Sequence, residues 1–279
     1  MQPNFYEEYA VVDRTHWWSI GRRKIILTLF NRLIPPDPDR QILDVGIGCG
    51  VMLAHLSPLG RAVGCDRSAE ALRYARVAVQ EYLPQSAKSA ALPDLIQAGA
   101  EHLPIADRSL DLVTLFDILE HVPDDRGVLR EAVRALRPGG VLCATVPVHP
   151  WLWGNHDLIS HHLRRYRIGE LEGKMTDGGL EIFYRTYFNT ILFPVAAFIR
   201  LARRMLGGRD LGTMGDLSTD RSEVPSDFSM TKPGLLNDLL AWVFSQEAKW
   251  LRVSRFPFGV SLFCLARKSD PASGHQNTV

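Results

Sequence analysis

The stretch QILDVGIGCG, Gln41 to Gly50, decides how this chain folds. A short apolar run, Gln41 to Val45, enters three glycines at alternating positions, Gly46, Gly48 and Gly50, and Val51 to Leu56 predicts a helix directly after them. A strand that turns through glycines into a helix lets backbone approach a ligand closely and presents a helix N-terminus to it. The spacing is GxGxG and differs from the GxGxxG of dinucleotide-binding loops, which also have an acidic residue about 20 positions on. Here Arg61 to Cys65 predicts a second strand, and Asp66 closes it 16 residues beyond Gly50. A carboxylate at that strand end can accept both hydroxyls of a ribose. The plainer reading is a tight turn with Asp66 capping a helix.

Outward from this loop, strand-like and helix-like segments alternate to about residue 147, which predicts a parallel sheet. Ser68 is placed as the N-cap of a helix reaching about Leu83, Asp94 to Gln97 is a weak third strand, and Leu110 to Phe116 is a strong fourth. Asp124 to Leu136 has apolar residues at helical spacing, and Pro138-Gly139-Gly140 ends it before a fifth strand, Val141 to Val146. The rhythm then changes. A short helix (Glu170 to Thr176), a strand (Leu180 to Tyr187), an amphipathic helix (Pro194 to Leu206), a polar loop (209 to 233), a helix (Leu235 to Leu251) and a last strand (Val260 to Ala266) are predicted.

Composition narrows the classes. With 279 residues, 46% hydrophobic and 23% charged, the chain is neither disordered nor collagen-like. Its 32 Lys+Arg against 31 Asp+Glu leave a formal charge of +1, so no global field gathers nucleic acid. Cys49, Cys65, Cys143 and Cys264 show no CxxC spacing, which fits a reducing compartment, and a cytoplasmic location is expected. The N-terminal residues have acids and aromatics where a signal peptide would have basic and then apolar ones. The longest apolar run, Ile191 to Ile199, has nine residues including Pro194, well short of the roughly 20 that a membrane span requires.

As an ordered set, LDVGIGCG, GCDRS, DLVTLFDILEHV and LREAVRALRPGGVL resemble the motifs of class I S-adenosylmethionine-dependent methyltransferases over residues 41 to 147. The resemblance implies an α/β, Rossmann-like sheet of seven mostly parallel strands in the order 3-2-1-4-5-7-6, with the last strand antiparallel and helices on both faces. It implies S-adenosyl-L-methionine as cofactor. Asp44, Gly46, Gly48 and Gly50 would surround its methionine part, Asp66 with Arg67 its ribose, and Asp117 to His121 would lie beside the sulfonium and the substrate. The family often has an Asp-Ala pair after the third strand to meet the adenine amino group, but Gly99 stands where that Asp would be. Backbone at Ala100 and Glu101 is the expected substitute.

The ends of the chain are similar to a bacterial subgroup assigned to lipid, quinone or secondary-metabolite modification. His16-Trp17-Trp18 with Arg22-Arg23 precedes the first strand, and NHDLISHHLRRY follows the fifth. The subgroup implies an N-terminal helix closing over the cofactor, with Arg22 or Arg23 neutralising the methionine carboxylate, a task that suits a forked guanidinium. The alternative is that the tryptophans are core and both arginines solvated. The expected organisation is a helical cap over 1–40, a cofactor-binding core over 41–188 plus 256–268, a helical insertion or lid for substrate over 189–255, and a tail over 269–279.

Methyl transfer is an in-line attack at a carbon on positively charged sulfur, so positioning does most of the work. A hydroxyl acceptor gains from a base, and histidine suits neutral pH. The candidates are His121, His149, His156 and His162, with Asp157 to orient an imidazole; structural roles for each stay open. A metal cluster of His156, Asp157, His161 and His162 is not expected, because neither zincin nor facial-triad spacing is evident. Trp151, Trp153, Phe188, Phe193, Phe198 and Trp242 are expected to form an apolar substrate chamber or else a core. Arg185, Arg200, Arg203, Arg204 and Arg209 lie where no acid does from 182 to 209, which suggests peripheral contact with anionic lipid, a substrate phosphate, or a solvated face. The leading expectation is methylation of a hydroxyl on a small apolar molecule. Carbon or nitrogen acceptors, a catalytically silent cofactor-binding partner, and a nicotinamide oxidoreductase are the alternatives.

Overall fold

The computed structural model describes residues 5–83, 92–205 and 233–270. Within them β1 (Gln41–Val45), β2 (Arg61–Asp66), β3 (Asp94–Gln97), β4 (Leu110–Phe116), β5 (Leu136–Pro147), β6 (Leu180–Phe188) and β7 (Ser261–Lys268) form one sheet. Their order is β3-β2-β1-β4-β5-β7-β6. The first five strands are parallel, and β7 runs antiparallel to both of its neighbours. This is the Rossmann-like order expected from the motifs.

Every residue of β4 is buried, as a central strand covered on both faces demands. Side chains alternate between those faces. Leu43, Val113 and Leu115 pack toward α5 (Asp125–Ala135) and α7 (Glu170–Asp177) through Val128, Leu129 and Leu171. Ile42, Leu112 and Phe116 pack toward α2 (Trp17–Leu33) and α3 (Val51–Leu56) through Ile25, Leu29, Phe30 and Leu53. The hydroxyl of Ser68 accepts the Ala71 N–H and starts α4 (Ala69–Tyr82).

Two predicted boundaries are corrected. β5 begins at Leu136, ahead of Pro138-Gly139-Gly140, because Leu136 takes up extended backbone and pairs with Leu110 before the register shifts at Leu112. The prolyl-glycyl turn therefore bends a strand instead of preceding it. The helix expected over Leu235 to Leu251 is two helices, α9 (Leu235–Ser245) and α10 (Glu247–Leu251). Glu247 sets the second piece: its buried Oε1 accepts the N–H groups of Thr190 (2.6 Å) and Ile191 (2.7 Å), and Oε2 accepts that of Asn189 (2.7 Å). Burial pushes its pKa up to about 6 against those three donors.

α9 lies on α2. The Asn237 side chain accepts the Trp17 N–H at 2.8 Å and donates to the Thr15 carbonyl at 3.0 Å, while a β-carbon at Gly21 would overlap the Phe244 ring. Gly21→Ala is expected to lower stability by about 1–2 kcal/mol in urea unfolding: overpacking costs about 1–3 kcal/mol, and alanine returns somewhat under 1 kcal/mol of helix propensity. Unchanged stability would mean that α9 yields at this contact.

The six aromatic residues expected to line one chamber do not all come together. Phe188 is core, stacked on Phe244 at 6.5 Å between centroids, whereas Phe198 on α8 (Phe193–Met205) is 72% exposed and Trp242 on α9 is 63% exposed. Trp151 and Phe193 do pair, edge to face at 6.0 Å. The polar loop 209–233, with Arg209, lies almost wholly outside the described residues, as does the tail from 271. Among the described residues no helix is long and apolar enough to cross a membrane.

Candidate active site

The glycine loop sits at the carboxyl ends of β1 and β2. Gly46 has φ 72, a backbone that side-chain-bearing residues rarely adopt, and the space beside it is filled by Ile118. Gly48 donates its N–H to Asp66 Oδ2 at 3.0 Å, and Ser68 donates to Oδ1 at 2.9 Å. Each oxygen of this buried carboxylate has spare acceptor capacity at the strand end. Burial raises the Asp66 pKa, opposed by those N–H groups. Asp44 is placed differently: it accepts the Thr114 hydroxyl at 2.6 Å between β1 and β4, and burial pushes its pKa up to about 7. Arg67 is exposed at the mouth, its carbonyl accepting from the Gln97 side chain. Ala100 and Glu101 follow β3, and Glu101 Oε2 lies 3.1 Å from where a Gly99 β-carbon would be.

The turn after β4 forms the second wall. Asp117 is left-handed (φ 54), a conformation Asp tolerates better than most residues, and is fixed by Thr145 through a backbone bond and a hydroxyl-to-Oδ1 bond, both 3.0 Å. Its Oδ2 pairs with Arg22 at 2.5 Å. The Arg22 guanidinium also lies over the Trp18 and Phe116 rings, and its Nε is buried with no hydrogen-bond partner. Arg23 turns away to Asp13, donating to its carbonyl at 3.1 Å. Of the two arginines expected near the cofactor, Arg22 is therefore the one at the sheet end. α1 (Phe5–Thr15) crosses this end, and Tyr9 approaches Gly48 so closely that a β-carbon there would lie 3.1 Å from its ring.

The third wall is histidine-rich. Asp157, on α6 (Asn155–Ile159), is fully buried, and its Oδ1 receives His162 Nδ1 and Arg165 Nε, each at 2.8 Å. Its Oδ2 accepts the Gly154 N–H at 2.9 Å. Burial works against its charge, yet Arg165 and His162 hold its pKa well below the usual carboxylate range. A carboxylate only accepts, so His162 Nδ1 carries the proton and Nε2 is left as the basic atom. The His121 ring lies 4.7 Å from that of His162, and His156 lies 5.6 Å from it. His121 is beyond the end of β4, in a turn closed by its own N–H to the Ile118 carbonyl, and burial with three neighbouring histidines pushes its pKa down to about 3. His149 stacks on Tyr187, outside this cluster.

Asp125 escaped sequence reasoning here, and Glu120 was covered only as part of the Asp117 to His121 segment, with no role of its own. Glu120 is fully buried with no hydrogen-bond partner on either oxygen, and burial together with Asp117 pushes its pKa well up. Asp125 gathers the Tyr166 hydroxyl (2.7 Å), Lys174 Nζ (2.6 Å) and Arg164 (2.9 Å), which explains the RRY pattern as an anchor for the histidine segment. The available signal for Glu120 was its place among apolar neighbours, Leu119 and Val122.

A profile described as a methyltransferase domain matches residues 43–144, the span that supplies the glycine loop, Asp66 and the Asp117 turn. Residues 43–144 thus match a methyltransferase domain. Trans-aconitate 2-methyltransferase of Azoarcus sp. (strain BH72) is 37% identical over 135 residues, 47% of this chain and 46% of that protein. Ubiquinone biosynthesis O-methyltransferase of Albidiferax ferrireducens is 34% identical over 137 residues, 46% of this chain and 52% of that protein. The chain thus spans about half the length of these curated relatives. The S-adenosylmethionine-dependent methyltransferase of Mesorhizobium loti shares the fold, with a TM-score of 0.51 at 16% identity over 86% of this chain and 95% of that one.

S-adenosylmethionine is the cofactor of this methyltransferase domain. The residues present fit it. Asp66 offers acceptors for two ribose hydroxyls, and the orphaned Nε of Arg22 beside the glycine loop suits a carboxylate.

Proposed function

We propose that the protein transfers a methyl group to a hydroxyl of a small apolar acceptor, bound between the Asp117 turn and the His156–His162 segment. The observation that carries this reading is the His162 imidazole pinned by buried Asp157 at 2.8 Å, beside the turn that packs on the glycine loop. The cofactor supplies a methyl carbon made electrophilic by positive sulfur. Asp66, Arg22 and the glycine loop orient the donor, and Asp44 braces the strand beneath it. His162, oriented by Asp157 and flanked by His121 and His156, activates the acceptor hydroxyl. Tyr9 covers the loop at Gly48.

Gly99 favours the silent-partner alternative, since the family's adenine-binding Asp is absent there. Against it, Glu101 brings a carboxylate to the same place. Mass spectrometry of a metabolite extract supplied with the protein and S-adenosylmethionine tests the reading: a product gaining one methyl group supports it, and cofactor binding without S-adenosylhomocysteine formation overturns it. Asp66→Ala is expected to weaken S-adenosylmethionine binding by about 1–3 kcal/mol, the range for a lost charged hydrogen bond. Calorimetric titration giving unchanged affinity would remove Asp66 from the ribose site.

A further inference from the structure

Glu120, His121 and His162 each direct one ligand atom into a common space, and these atoms lie within 4.8 Å of one another. We propose that the three side chains hold a divalent transition-metal ion. Glu120 makes the strongest argument. A buried carboxyl without a hydrogen-bond partner is costly, and both of its oxygens are in that position. A cation between it and two imidazoles is the partner that this arrangement lacks.

The surroundings are those of a prepared metal site. Asp157 binds His162 Nδ1 at 2.8 Å, so Nε2 is the ligating atom, and a carboxylate behind an imidazole fixes its tautomer and raises its basicity toward a metal. Arg165 and the Gly154 N–H hold Asp157 in turn. The Glu120 carbonyl accepts the Leu163 N–H at 2.7 Å, and the His162 N–H bonds the Asp157 carbonyl at 2.8 Å, so backbone ties the two ligand-bearing segments together. One carboxylate with two imidazoles suits zinc, manganese, iron or cobalt better than magnesium or calcium, whose sites are built of oxygen. Three protein ligands leave a coordination position open.

The ion's role rests on the methyl-transfer reading; its binding does not. An acceptor oxygen in the open position becomes more acidic and gives its proton to water. That oxygen then bonds to the methyl carbon while the carbon–sulfur pair stays on sulfur. His162 acts as a ligand in this scheme, and the activation attributed to it runs through the ion.

The test is a Co2+ titration of the full chain, stripped with chelator and free of any polyhistidine extension. The expected result is one Co2+ per chain with visible d–d absorption, and at least tenfold weaker binding in both Glu120→Gln and His121→Ala, with thermal unfolding confirming that each is folded. No visible band up to millimolar Co2+, or wild-type affinity in both variants, overturns the site. If one variant fails to fold, the other decides. Because the readout is optical, a chain that binds Co2+ but methylates no acceptor would defeat the proposed function and leave the metal site standing.

Discussion

His162→Ala is expected to slow S-adenosylhomocysteine formation in the presence of an acceptor about 10²- to 10⁴-fold, the contribution of a positioned activating group, with cofactor affinity unchanged. The expectation rests on separation. The glycine loop and Asp66 handle the donor, whereas His162 is held from the other side by Asp157, Arg165 and the backbone of Gly154. Asp157→Asn should slow the reaction as well, because an amide that donates to Nδ1 favours the wrong tautomer. It also leaves buried Arg165 without its anion, so its melting curve must accompany the rate. Wild-type turnover in His162→Ala across pH 6–9 would exclude the residue from acceptor activation.

Glu247→Ala should cost about 3 kcal/mol or more of stability, since three backbone donors lose their acceptor and each unsatisfied buried donor costs about 1–3 kcal/mol. Glu247→Gln is the finer test. Its folded pKa of about 6 lies above the ordinary glutamate value of 4.5. The folded state therefore binds the proton more tightly than the unfolded chain. This group's contribution is complete below about pH 4.5 and is lost as pH rises through 6. Urea midpoints at pH 4.5 and 7.5 should show wild type losing more stability than Glu247→Gln on that rise. Parallel losses would mean that Glu247 does not titrate in this window.

What the sequence showed and what it hid follow from the range of each interaction. Gln41 to Gly50 and Leu110 to Phe116 announce themselves because a buried parallel strand is predominantly apolar and a tight turn into a helix favours glycine. Ser68 could be placed as a cap because its bond to Ala71 spans three residues. Glu247 could not, because its partners are 56 to 58 positions away. Pro138-Gly139-Gly140 misled because pairing with Leu110 recruits Leu136 into the strand. In the site, the Asp157–His162 pair was readable at five residues' separation, but Glu120 beside His162 depends on folding two segments together. The aromatic chamber failed because type and spacing do not say which face of α8 and α9 is covered.

Tyr9 standing against Gly48 has a kinetic corollary. A nucleoside reaching that side of the glycine would meet the phenol ring first, which would couple loading of the donor to seating of residues 5–15. Arrival and departure rates of the donor would then be set by how readily one short amphipathic segment peels from the sheet end, and amino acids far from the reacting atoms would govern the tempo of the cycle.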